Sequence, residues 1–223
     1  MGATYGVSSI NFMICTLKKF YDESVLPHLL NCACNNRATN LQRSIIVPKA
    51  SGIVLEIGFG SGLNLPYYDK DKVRHLWVLE PSKKLLQLAK RNINNTGLSM
   101  SILNCLAEDI PLPDNSVDDV LITYTMCTIV EPIKANKEIR RVLKKNGSLL
   151  FCEHGIAIND KDAKLQKRIN PYWEKIAGGC QLTRDIPTII SQSGFKIDQL
   201  DQGYIIGIPK FAGYTYLGSA KHH

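Results

Sequence analysis

Long apolar runs are missing from this chain. Nowhere among its 223 residues do apolar positions approach the ~20 in succession that a membrane-crossing helix requires. The best patch, Ile10, Phe12, Met13, Ile14 and Leu17, contains Asn11 and stops at Lys18-Lys19. It has neither the basic start nor the small-residue cleavage site of an export signal. Gly6 stands where an N-myristoylation signal needs Ser or Thr. These absences predict a cytoplasmic chain without a permanent anchor, in at most weak peripheral contact with a membrane. Cysteine frameworks are missing too. Cys15, Cys32, Cys34, Cys105, Cys127, Cys152 and Cys180 follow no regular spacing, and Cys32-x-Cys34 has neither the gap nor the second pair of a zinc knuckle. Reduced thiols inside a cell and no metal are expected.

What is present is an ordinary globular composition, 44% hydrophobic and 21% charged, with no internal repeat and no low-complexity linker. Setting 27 Lys and Arg against 20 Asp and Glu leaves +7. That excess suits an anionic substrate, a membrane surface or nucleic acid and selects none of them.

The first 50 residues read as helical. Phe20, Tyr21, Val25, Leu26, Leu29 and Leu30 form an apolar face broken by Pro27, and a second helix is predicted near Ala38 to Val47. From Gly52 the rhythm changes. Strands are predicted at Ile53–Ile57, His75–Leu79, Ser101–Leu103, Val117–Tyr124, Ser148–Cys152, Phe195–Leu200 and Tyr214–Gly218. Helices are predicted near Lys83–Asn94, Lys134–Lys144 (stopping at Asn146-Gly147), Lys161–Ile176 and Ile186–Ser193. Alternating strands and helices argue an α/β fold with a parallel sheet covered on both faces. The turn-rich link between the last two strands holds Gly203, Gly207, Pro209 and Gly213 and no crossover helix, so that pair should be antiparallel. The expected division is a helical extension or lid over 1–50 and a Rossmann-like, seven-stranded sheet domain over 51–223.

The sharpest motif is Val54-Leu55-Glu56-Ile57-Gly58-Phe59-Gly60-Ser61-Gly62-Leu63-Asn64. A strand running into three alternate glycines lets a ligand lie against bare backbone. The spacing is neither the G-x-G-x-x-G of the pyrophosphate fingerprint nor a P-loop with its Lys-Ser/Thr ending. Twenty-two residues past Gly58 stands Glu80 in Leu79-Glu80-Pro81-Ser82, an acid at a strand tip suited to ribose hydroxyls. A helix N-terminal acid capped by Ser82 would look similar. Ala107-Glu108-Asp109-Ile110-Pro111 then follows the third strand as a polar turn.

On these residues Gly52 to Gly155 resembles the class I S-adenosylmethionine-dependent methyltransferases of the ubiquinone/menaquinone-biosynthesis-like group. The resemblance implies S-adenosylmethionine as cofactor. It assigns Glu56, Gly58, Gly60 and Gly62 to the methionine and sugar side, Glu80 to the ribose and Ala107 and Glu108 to the adenine, and adds Phe59, Asn64, Pro81, Tyr124 and Thr125 as further cofactor contacts. One departure is Leu106, where relatives carry Asp or Ser. A narrower similarity, to the alkyl-thiol methyltransferase-like family and to bacterial phospholipid methyltransferases, lies in Tyr124-Thr125-Met126-Cys127, Phe151-Cys152-Glu153-His154-Gly155, Asn170-Pro171-Tyr172-Trp173 and Gly179-Cys180-Gln181-Leu182-Thr183-Arg184. It implies a small or lipid-like acceptor, a thiol or an amine, in a pocket touched by Cys127, Tyr172, Trp173, Cys180 and Arg184. Glu153 and His154 are the candidate catalytic pair, His154 taking a proton from the acceptor and Glu153 orienting it; a loop-pinning pair reads equally well.

Three other functions stay open at this level. A nicotinamide oxidoreductase explains the glycines and Glu80 but not the antiparallel pair. A nucleic-acid methyltransferase could use the charge, yet Tyr124-Thr125-Met126-Cys127 stands where a base-flipping tetrapeptide would be. A catalytically inactive scaffold is compatible with the same residues.

Overall fold

The computed structural model describes residues 16–223; Gly2, Ile10, Phe12, Met13, Ile14 and Cys15 lie outside the described residues. Seven strands, β1 (Gly52–Ile57), β2 (Val73–Leu79), β3 (Met100–Leu103), β4 (Val117–Thr123), β5 (Leu143–His154), β6 (Phe195–Tyr204) and β7 (Tyr214–His222), form one sheet in the order β3-β2-β1-β4-β5-β7-β6. The first five are parallel. β7 runs antiparallel to both β5 and β6. The seven-stranded, Rossmann-like sheet read from the sequence is therefore the one observed.

Period-two alternation divides the strands between two cores. On one face Leu55, Ile57, Val120, Ile122 and Phe151 pack with Ile139, Val142 and Ile190. On the other Val54, Leu76, Val78, Leu121 and Leu150 pack with Ile46, Val47 and Ala89. Both faces being covered explains why β1 and β4 read as nearly continuous apolar runs. Gly218 permits β7 to sit between its neighbours, since a Cβ there would lie 2.1 Å from Gln199 O and 2.8 Å from the Phe151 ring.

Helices α1 (Leu26–Cys34), α2 (Arg37–Ile46), α3 (Lys83–Thr96), α4 (Pro132–Val142), α5 (Asp160–Ile176), α6 (Ile186–Gln192) and the short α7 (Lys210–Gly213) complete the described chain, with a π-helical turn at Tyr21–Val25 before α1. Pro27 does not break the opening helix. It lies in the first turn of α1, directly after the π-helical turn, in helical backbone that is continuous from residue 16 to residue 34. Asn36 caps α2 by accepting from Ala38 N and Thr39 N, and Ser82 caps α3, which ends at left-handed Gly97.

One boundary differs from expectation. α4 stops at Val142, not at Asn146-Gly147, because Leu143 is already extended and pairs with Val117. Gly147 lies inside β5, where a Cβ would stand 2.3 Å from Asp118 O, so its role is close backbone approach and not a helix cap. No helix among the described residues is long and apolar enough to cross a membrane.

Candidate functional site

The carboxyl ends of β1, β2, β3 and β4 open on a cavity of about 590 Å³, in the crevice where open α/β sheets bind ligands. Its walls come from the loop after β1 (Gly58, Phe59, Gly60, Ser61, Asn64), the tip of β2 (Glu80, Pro81), the turn Leu106–Asp109, the tip of β4 (Thr123, Tyr124, Thr125) and the helices above (Leu30, Asn31, Cys34, Arg43).

The three motif glycines all have positive φ but do different work. A Cβ on Gly58 would strike the Thr125 side chain at 2.2 Å, so this glycine lets the β1 and β4 loops touch. On Gly62 it would meet the Phe59 ring and Leu65. On Gly60 it would meet only Gly58 O at 3.9 Å, so Gly60 leaves a cradle of bare backbone. Glu80 fixes that cradle. Its Oε2 accepts from Gly60 N and its Oε1 from Ser82 N, both at 2.8 Å. Burial raises its pKa against those two hydrogen bonds, which lower it.

Beneath the cavity Glu56 is fully enclosed. Burial pushes it up to about 7, while hydrogen bonds from Tyr68 Oη and Asn64 Nδ2 pull it down. Asn64 bridges Glu56 to Thr123 Oγ1 and leaves its own Oδ1 buried without a partner. Facing it is Arg43 from α2, only 4% exposed, its guanidinium 5.0 Å above the Tyr124 ring and its Nε and Nη1 without acceptors. Tyr124 itself holds φ +53°, a strained value for a bulky residue at a site wall.

Two of the residues read as cofactor contacts, Glu56 and Gly62, do not line the cavity. Glu56 acts through Asn64, and Gly62 serves packing. Nor do Glu153 and His154 line it. Glu153 Oε1 accepts Thr125 N at 2.8 Å and so supports the β4 loop; burial raises its pKa to about 7. His154 Nε2 lies 3.1 Å from Cys180 Sγ, which also receives Trp173 Nε1–H at 3.3 Å. Cys127 joins them, and the ligand atoms of Cys127, His154 and Cys180 all lie within 4.8 Å of one another. The hydrogen bond from Cys127, with those of His154 and Trp173, lowers the Cys180 thiol below its ordinary value against burial; the same bond and burial raise Cys127.

The expected acceptor residues therefore separate. Cys127, Cys180 and Trp173 form this cluster off the cavity wall. Tyr172 points outward, 73% exposed, because its place on α5 faces away from the sheet. Arg184 donates Nη2 to Ile129 O and lines a second, shallower cavity. Phe211 packs edge-on against Trp173, and Tyr214 against Tyr216 and Tyr204, so these rings build the β6–β7 layer.

Arg43, Asn31, Leu30 and Cys34 went unread as site residues. For Arg43 a signal existed: with Thr39 and Ile46 it falls on the helical stripe that turns inward, an unexplained charge on an apolar face.

Residues 55–151 match a family described as a methyltransferase domain. Over 153 residues the chain is 32% identical to thiol S-methyltransferase TMT1B of Rattus norvegicus, a match covering 66% of this chain and 62% of that protein. Over 105 residues it is 28% identical to phosphatidylethanolamine N-methyltransferase of Cereibacter sphaeroides, covering 46% of this chain and 51% of that protein. It is similar in fold to a SAM-dependent methyltransferase from Aquifex aeolicus, with TM-score 0.59, 20% identity, and coverage of 87% and 97% of the two chains. The chain thus spans less than two thirds of the thiol methyltransferase it matches.

Proposed function

We propose that the chain is a class I S-adenosylmethionine-dependent methyltransferase, a reading supported by the methyltransferase-domain match over residues 55–151 and by the sheet order, and that it methylates a small apolar acceptor, in the first instance a thiol. The observation that carries this reading is the cavity itself, which gathers the Gly60 cradle, the strand-tip Glu80, the Ala107–Glu108 turn and Arg43 around one space. S-adenosylmethionine, when bound, supplies a methyl group on a sulfonium sulfur.

The chain's residues fit that cofactor. Both Glu80 oxygens keep a free lone pair for ribose hydroxyls, their direction set by Gly60 and Ser82. The unpartnered Arg43 nitrogens and Asn64 Oδ1 suit the carboxylate and ammonium of an amino acid. Leu85, Leu106 and Pro81 wall the cavity where an adenine would lie, with Ala107 and Glu108 at its edge. Leu30, Ile129 and Val130 add apolar surface beside Thr128, Glu131 and Lys134 on the remaining wall, which favours an acceptor with an apolar part. Methyl transfer to a nucleophile held in line needs mainly positioning. Glu153 is a positioning residue here, through Thr125.

The 32% identity to a thiol S-methyltransferase supports the thiol. A lipid headgroup amine is the second reading, supported by the similarity to a phosphatidylethanolamine N-methyltransferase. The antiparallel β7 favours methyl transfer over nicotinamide chemistry. Two of the basic residues around the end of α4 serve structure, Arg141 binding Glu138 and Asp114 and Lys144 at the start of β5 binding Asp118, which weakens the case for nucleic acid. Labelled S-adenosylmethionine offered with alkyl thiols, amines and phosphatidylethanolamine vesicles tests the reading by mass spectrometry of the product. S-methyl thioethers are expected, and transfer to none of these acceptors overturns it. The +7 charge supports weak peripheral contact as well. Sedimentation with anionic vesicles should show binding that disappears as salt shortens the Debye length to ~3 Å at 1 M; salt-resistant binding would refute an electrostatic contact.

A further inference from the structure

Three loops bring together a set of side chains that neither the cavity nor the fold accounts for. Cys127 follows β4, His154 ends β5, and Cys180 lies in the turn between α5 and α6. Each is far from the others in sequence, yet their two sulfurs and the imidazole lie within 4.8 Å of one another. Tetrahedral zinc with Zn–S of ~2.3 Å and Zn–N of ~2.0 Å places such atoms roughly 3.5–4 Å apart, so the cluster needs only small adjustments to hold one. The setting suits a soft cation. Both cysteines are buried, and the Trp173 indole N–H already donates to Cys180 Sγ, the kind of outer contact that steadies a metal thiolate.

We propose that Cys127, His154 and Cys180 bind a zinc ion through two thiolates and an imidazole nitrogen, tying the loop after β4 and the end of β5 to the turn between α5 and α6. Binding releases the two thiol protons to water and changes no oxidation state. Two thiolates and a neutral imidazole make a Cys2His set, with water completing the tetrahedron.

The test uses the full chain, purified anaerobically with and without added zinc. Plasma mass spectrometry should find about one zinc per chain, falling at least ~10-fold in Cys127→Ser and in Cys180→Ser and staying in Cys105→Ser. Near-ultraviolet circular dichroism checks that each variant is folded. Cobalt substitution of the unmutated protein keeps the test independent of folding: a thiolate-to-cobalt charge-transfer band and intense tetrahedral bands are expected. Absence of bound zinc, or zinc retained in both serine variants, overturns the site. A cobalt spectrum without the thiolate charge-transfer band overturns the two-thiolate ligand set. None of these readings uses methyl transfer, so failure of the proposed function would show separately, in the product assay.

Discussion

A guanidinium 4% exposed with two nitrogens lacking acceptors is a costly thing for a fold to keep. The penalty for an unpaired buried charge is several kcal/mol, offset in part by the Tyr124 ring. Arg43→Met keeps the volume and removes the charge. The ligand-free protein should become no less stable, while affinity for S-adenosylmethionine and its demethylated product falls ~10- to 100-fold, about 1.4–2.8 kcal/mol. Calorimetry showing unchanged affinity would remove Arg43 from the cofactor side. Glu56 behaves differently because it titrates. Its folded pKa, about 7, lies above the ~4.3 of an unfolded chain. The contribution of the protonated form is complete below the unfolded value and is lost as pH rises through about 7, on the order of a few kcal/mol. Denaturant unfolding without ligand should therefore show the unmutated protein losing stability between about pH 5 and 8 relative to Glu56→Gln; parallel curves would mean Glu56 is ionised throughout. Glu80 and Gly60 were legible in the sequence because local spacing encodes a strand, a turn and a strand tip. Arg43 showed only as a charge on an inward-facing helical stripe, and the meeting of Cys127, His154 and Cys180 was not legible, since only the fold brings those distant positions together.

Helices α1 and α2 close the cavity from one side and are built for it differently. α2 belongs to the core: Ile46 and Val47 join the cluster that packs on β1 and β2. α1 does not, and among the described residues before Ile46 none belongs to either core cluster. It is held instead by Asn31, which accepts from Ser61 Oγ, and by Leu26 over Gly178. Leu30, Asn31 and Cys34 of this segment stand on the cavity wall, and the lid role proposed for it is tested by removing it. Deleting residues 1–34 should leave a cooperatively folded sheet domain whose affinity for the cofactor drops ~10-fold, about 1.4 kcal/mol, as calorimetry would show. Unchanged affinity would confine α1 to a surface role. Period and capping signals found these elements well. Asn146-Gly147 misled because it looks like a helix stop while serving close contact within β5, a tertiary demand that no local pattern carries.

At the scale of the whole molecule the sheet order sets which end of the chain can be spared. The antiparallel close was legible from a short, glycine-rich link with no crossover helix, but the sequence did not say that β7 would enter between β5 and β6 instead of forming the edge. That insertion makes the last strand structural. Tyr214 through Ala220 are all buried, and β7 pairs along its length with β5 and β6. Removing residues 214–223 would strip both neighbours of their ladder partners, expose Phe151 and Leu150, and cut β6 from the sheet. Each orphaned backbone group and each uncovered side chain costs on the order of 1–3 kcal/mol, together more than the 5–15 kcal/mol by which domains of this kind are stable. The ten-residue C-terminal deletion should therefore abolish cooperative unfolding, whereas the 34-residue N-terminal deletion keeps it. Urea titrations followed by tryptophan fluorescence and circular dichroism compare the two. A C-terminally truncated protein with a sharp, coincident transition in both signals would show that β1 to β5 fold as a unit and that β7 only covers their edge.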